Sequence, residues 1–143
     1  MDVLQVANAY AKFYEQLTSE SSREEYGVFF DNSSEFADPF QKVQGLHAIH
    51  NIFIDMYTKL YKPHFIVDEV VASCDVAYIR WHFHYALSKN SKAESFTGVS
   101  RVTFSKSAKV KSHIDYWDAG ENVYEKIPLL GTLLRFVKRK LHA

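Results

Sequence analysis

Pro63 marks a change of hydrophobic period that limits what this chain can become. Before it, apolar residues recur at three- and four-residue steps; after it, they alternate. A helical period suits elements that bury one stripe, and a period of two suits strands that bury one face. Helices followed by a run of strands joined by short polar turns give an α+β layer with an antiparallel meander, not alternating βαβ units.

Val3, Val6, Ala7, Tyr10, Phe13, Tyr14 and Leu17 form the apolar face of a first helix of about four turns. The run Thr18-Ser19-Glu20-Ser21-Ser22 ends it and offers a serine cap to a shorter second helix. Glu24 and Glu25 stand in the first turn of that helix, which carries Tyr26, Phe29 and Phe30. Glu35 to Phe40 reads as a short extended piece, because the residue before Pro39 is pushed out of the helical region. Asp38 therefore falls at a strand end or turn. From Gly45, the spacing Leu46, Ile49, Phe53, Met56, Leu60 predicts a third helix, ended by Lys62-Pro63.

Four strands are predicted, over His64 to Ala72, Val76 to Leu87, Glu94 to Phe104 and Val110 to Trp117. Alternation puts Tyr78, Arg80, His82 and His84 on one face of the second, opposite Ala77, Ile79, Trp81, Phe83 and Tyr85. In the fourth, His113, Asp115 and Trp117 share a face.

With 143 residues, the chain is long enough to bury a core without disulfides or metal. Its 47% apolar and 15% aromatic content excludes a disordered tail. Cys74 is the single cysteine, which excludes an internal disulfide; it is expected to be a small buried hydrophobe. No run approaches the length of a membrane span and the first residues lack a signal-peptide pattern, so the cytoplasm is the expected compartment. Net charge is zero, which argues against nucleic acid as a partner. Glycine-rich phosphate loops and nucleophile motifs are missing, so no cofactor is implied. His82 and His84 lack a third ligand at useful spacing, and no metal is expected.

Taken in order, the first two helices, Ala37-Asp38-Pro39-Phe40, the glycine-led third helix and the strand ending Asp115-Tyr116-Trp117-Asp118 resemble the NTF2-like superfamily, in its SnoaL-like and ketosteroid-isomerase-like branch, over residues 1–118. The resemblance implies a cone-shaped barrel, with N-terminal helices packed on a curved antiparallel sheet. It also implies an apolar pocket for a small hydrophobic molecule and homodimers formed through the outer face of the sheet. Residues 119–143 would be a C-terminal extension of the same domain.

By that resemblance, Asp38 matches the aspartate that moves a proton beside a ketone in ketosteroid isomerases. Tyr14 falls where those enzymes place an oxyanion hydrogen-bond donor, with Tyr10 and Phe13 nearby. Their second donor is a carboxylic acid kept neutral by apolar surroundings, a documented case of environment setting protonation. Here Ser100 stands at that position, so the donor set departs from the isomerase pattern. The strand ending Asp115-Tyr116-Trp117-Asp118 is similar to the corresponding SnoaL-like strand, which puts Trp117 in the pocket together with His113 and Asp115. Phe53 would line the same pocket, and Arg80 would serve as an anion clamp.

Each of these residues also has a plainer reading: Asp38 as a turn residue, His113 and Asp115 as a self-satisfied buried pair, Tyr14 as core. Two functions stay open at this point. One is a cofactor-free isomerase, cyclase or hydrolase-like enzyme using Asp38 or the His113 and Asp115 pair as acid and base; the other is a binding protein that holds its ligand unchanged.

The resemblance does not account for the C-terminal segment. Ile127-Pro128 is expected to start a helix with Leu130, Leu133, Leu134, Val137 and Leu141 on one side and Arg135, Lys138, Arg139 and His142 on the other. Residues 126 to 143 hold five bases and no acid. Residues 127–143 either fold back over the barrel and its mouth or dimer face, or dock on a membrane surface or protein partner.

Overall fold

In the computed structural model, which describes residues 1–142, helix α1 spans Val3–Gln16 and buries Ala7, Tyr10, Ala11 and Tyr14, the stripe expected from the spacing. The Asp2 carboxylate caps it by accepting the Gln5 N–H at 3.2 Å. Helix α2 spans Arg23–Gly27, where Ser22 and Glu25 form a capping box. It is shorter than expected: Phe29 and Phe30 lie in the turn beyond Gly27. Both still reach the core, their rings packing 5.2 and 5.6 Å from Tyr10.

Two short strands follow, β1 (Glu35–Ala37) and β2 (Lys42–Gln44), the second with no signal in the alternation because it is only three residues long. Helix α3 spans Leu46–Lys59. It starts at Gly45, whose φ of 97° is readily open only to glycine. The long strands are β3 (Tyr61–Ser73), β4 (Val76–Ala86), β5 (Glu94–Phe104) and β6 (Val110–Tyr116). Pro63 does not end the third helix, which stops at Lys59; it lies inside β3, at a register shift between Tyr61 and His64 on this edge strand. Cys74 is exposed, in the turn between β3 and β4 with a φ of 57°, so the expectation of a buried thiol was wrong.

The sheet has six strands in the order β2-β1-β6-β5-β4-β3. From β3 to β6 it is the expected antiparallel meander; β1 then joins β6 in parallel, with Phe36 opposite His113. It is curved but unclosed, with β2 and β3 as its edges. Helix α1 packs on β3 and β4, and α3 on β2 and β3. The core between helices and sheet is aromatic. Tyr10, Tyr26, Phe30 and Ile49 are at most 1% exposed, and the burial of Phe30 and of Ile49 is worth about 1.5–3 kcal/mol each.

Beyond β6, Asp118 caps a one-turn helix α4 (Ala119–Asn122), a 3-10 turn covers Tyr124–Lys126, and α5 spans Leu130–Leu141. Pro128 is not the first helical residue; the chain bends at Leu129, with a φ of 72°, before α5 begins. Ala143 lies outside the described residues.

Candidate functional site

The concave face of the sheet, α3 and the segment after β6 enclose a cavity of about 930 Å³, open on one side. Its walls are mostly aromatic: Phe36, Phe53, Phe65, Trp81, Phe83, Phe96 and Trp117. Phe96 and Trp117 stack with centroids 4.3 Å apart, forming a flat panel. Asp115, Asn51, Asn122 and Lys126 are among the few polar residues that line it. Lys126 pairs with Glu94 at 2.8 Å, tying the segment after β6 to the start of β5. That pairing holds the Lys126 ammonium above its usual pKa and the Glu94 carboxyl below.

Asp115 is the polar centre of the cavity wall. Its Oδ1 accepts hydrogen bonds from Ser100 Oγ at 2.5 Å and His113 Nε2 at 2.7 Å. Ser100 Oγ in turn accepts the Trp81 indole N–H at 2.8 Å. Among the described residues, Asp115 Oδ2 has no protein hydrogen-bond partner, on a side chain 11% exposed that lines the cavity.

Behind it, His113 is 1% exposed. A carboxylate only accepts, so the ring carries a proton on Nε2, and in the neutral imidazole Nδ1 is then an acceptor. Tyr10 and Tyr14 hydroxyls lie 2.9 and 3.4 Å from Nδ1 and 3.1 Å from each other. One donates to Nδ1, the other to its neighbour. Burial above all, with the nearby Asp115 charge adding to it, pushes both phenols well above their ordinary pKa, so they remain donors. Phe36 and Tyr14 stack on the imidazole at 4.9 and 5.3 Å. The result is a relay of fixed polarity from the first helix to the cavity.

The structure gathers most of the predicted residues but spreads their duties differently. Asp115, Trp117 and Phe53 line the cavity. His113, Ser100 and Tyr14 stand behind Asp115, with their polar atoms engaged in the relay. Asp38 is at the rim, where Oδ1 accepts the Phe40 and Gln41 backbone N–H at 2.8 and 3.0 Å and Oδ2 accepts from Gln41 Nε2 at 3.2 Å. This is the turn-residue reading. Arg80 is not at the cavity: alternation turns it to the outer face, where it and His82 pair with Asp68. No group of three metal-ligating side chains occurs among the described residues.

The family model of the SnoaL-like domain matches residues 10–113. The chain belongs to the SnoaL-like family. No curated protein matches it. Among solved structures, this SnoaL-like chain is similar to a candidate SnoaL-like polyketide cyclase from Jannaschia sp. CCS1, at 10% identity and a TM-score of 0.69, covering 80% of this chain and 85% of that one. It is also similar to a candidate isomerase of the SnoaL-like family from Agrobacterium tumefaciens str. C58, at 14% identity, TM-score 0.67, and coverage of 82% and 99%. A third is a hypothetical protein with a ketosteroid-isomerase-like fold from Catenulispora acidiphila DSM 44928, in complex with trimethylamine, at 11% identity, TM-score 0.69, and coverage of 83% and 89%. At such identities the likeness shows the fold.

Sequence reasoning missed two parts of the SnoaL-like site. Alternation groups Trp81 with Ala77, Ile79, Phe83 and Tyr85 and gives it no role, although its register partner Gly98 signals a ring laid over the neighbouring strand. Asn122, Val123, Lys126 and Ile127 complete the wall from beyond the region of resemblance, where no periodic signal marks them.

Proposed function

We propose that this SnoaL-like protein binds a hydrophobic organic molecule in its aromatic cavity and acts on it by cofactor-free acid–base chemistry, as an isomerase, cyclase or hydratase, with Asp115 moving the proton. The observation that carries this reading is the asymmetric carboxylate of Asp115: one oxygen held by His113 and Ser100, the other without a protein partner at the cavity wall. A base must be within hydrogen-bond reach of the proton it abstracts and must not swing away from it. The two donors on Oδ1 supply that fixity. His113 in turn is held by the tyrosines, so its ring keeps Nε2–H toward Asp115.

In this scheme Oδ2 takes a proton from a substrate C–H beside a carbonyl, or from an O–H, and returns it at another atom. Asn51, Asn122 and Lys126 supply N–H donors for substrate oxygens. The stacked Phe96 and Trp117 favour a flat, apolar body. A volume of about 930 Å³ suits a metabolite of drug size. In this reading the base is Asp115 and not Asp38, whose carboxylate accepts three hydrogen bonds within its own turn. The family reading also carries homodimerisation through the outer sheet face, where Ile66, Val71 and Tyr78 are exposed.

The test begins with mass spectrometry of ligand carried through purification. Wild-type protein in D2O should place deuterium into that ligand; Asp115→Asn should retain the ligand and exchange at least about a hundredfold more slowly. Retention without exchange in the wild type would make the cavity a binding site only.

A further inference from the structure

The segment after the cavity wall ends in α5, whose surroundings differ from those of the other long helices. Gly131 is its only buried residue, and within the chain its main neighbour is the 3-10 turn just before it. Leu133, Phe136, Val137 and Leu141 are 57, 48, 44 and 81% exposed, next to Leu129 at 86%. At 100° per residue these side chains share one side of the helix, with Arg135, Lys138 and Arg139 on the other. Lys140 falls within the apolar arc, its ammonium 5.5 Å from the Phe136 ring centroid, so its stem lies along apolar surface while its charge reaches outward. Among the described residues α5 packs on no strand of the sheet to any extent; Lys126 and Ile127, just before it, contribute to the cavity wall instead.

We propose that α5 lies on an anionic lipid bilayer, with its apolar side in the headgroup boundary and its bases against lipid phosphates and carboxylates. Four bases and no acid in twelve residues, flanking a stripe of Leu, Phe and Val, match such a surface in both charge and polarity. The helix is about 18 Å long, and no described helix is long and apolar enough to cross a membrane, so it rests on the surface. A second copy of α5 is the poorer occupant, since it would bring two four-base helices together. Because Lys126 and Ile127 line the cavity and lead directly into α5, docking sets the cavity mouth at the lipid. The proposal is independent of any chemistry at Asp115.

The test uses the full chain. It should sediment with vesicles of phosphatidylcholine and phosphatidylserine at least about tenfold more tightly than with phosphatidylcholine alone, and salt should weaken the binding. Arg139→Glu with Lys140→Glu should abolish it, as should Leu133→Asp with Phe136→Asp. These side chains are exposed, so circular dichroism should be unchanged. Equal sedimentation with both vesicle types, absence of sedimentation, or folded variants that bind like wild type would overturn the proposal. So would a wild-type dimer that Leu133→Asp converts to monomer without affecting vesicle binding.

Discussion

His113 Nε2 and Asp115 Oδ1 lie 2.7 Å apart on the same strand, two residues from each other. Side chains so spaced on β6 share a face, and the imidazole bridges the step between them. One ring thereby connects the tyrosines of α1 to the carboxylate at the cavity.

Replacing His113 with Phe keeps a ring of similar size but leaves the tyrosine hydroxyls and Asp115 Oδ1 short of a partner. Each orphaned buried group costs on the order of 1–3 kcal/mol, so His113→Phe should lose about 2–4 kcal/mol in urea denaturation. Combined with Asp115→Ala it should lose less than the sum of the two, because both changes break the same bond. Additive losses would mean that the pair does not act as a unit.

At Asp38 the expectation is the reverse of that drawn from the isomerase resemblance. Asp38→Asn keeps an acceptor for the Phe40 and Gln41 N–H groups, so stability should move by less than about 0.5 kcal/mol and exchange by less than about threefold. Asp38→Ala removes the turn bonds and should lose about 1 kcal/mol. A hundredfold slower exchange in Asp38→Asn would move the base from β6 to the rim.

Gly98 holds space for a ring. A Cβ there would sit 2.4 Å from Trp81 Cη2 and 2.5 Å from Cζ2. Gly98→Ala must push the indole away, which costs about 1–3 kcal/mol and stretches the Trp81 to Ser100 bond. Tryptophan fluorescence should shift together with the fall in denaturation midpoint; an unchanged midpoint would show that the ring is free to move.

Among the nine tyrosines, burial drives Tyr10, Tyr14, Tyr26 and Tyr57 well above their ordinary pKa. The folded state therefore keeps these protons longer than the unfolded chain does. The stability tied to them is complete below about pH 10 and is lost as pH rises above it, at about 1.4 kcal/mol per pH unit for each group. Phenolate absorbance of these four should appear only with the loss of circular dichroism. Their ionisation in a protein that keeps its ellipticity would contradict the burial.

Period and punctuation made much of this legible. The face of α1, a serine cap for α2, β5 and the shared face of His113, Asp115 and Trp117 follow from spacing; that this face is the inward one comes from the resemblance. Three things were not legible. Pro63 looked like a helix stop, but proline also fits an edge strand at a register shift. Asp38 carried a family motif, yet its carboxylate is engaged by two backbone N–H groups of its own turn and by the Gln41 side chain, an arrangement the motif does not encode. The duty of Ser100 depends on a strand register that places it beside Asp115 and within reach of Trp81.

The parallel pairing of β1 with β6 brings Phe36 against His113 across most of the chain. No hairpin turn can deliver that contact: β1 can pair locally with β2, but its other edge has no partner until β6 is in place. The wall beside Asp115 therefore depends on a pairing of long sequence separation. Until β6 forms, Phe36 has no imidazole to stack on, and a nascent chain halted before β6 lacks the polar wall that His113 and Asp115 bring to the cavity.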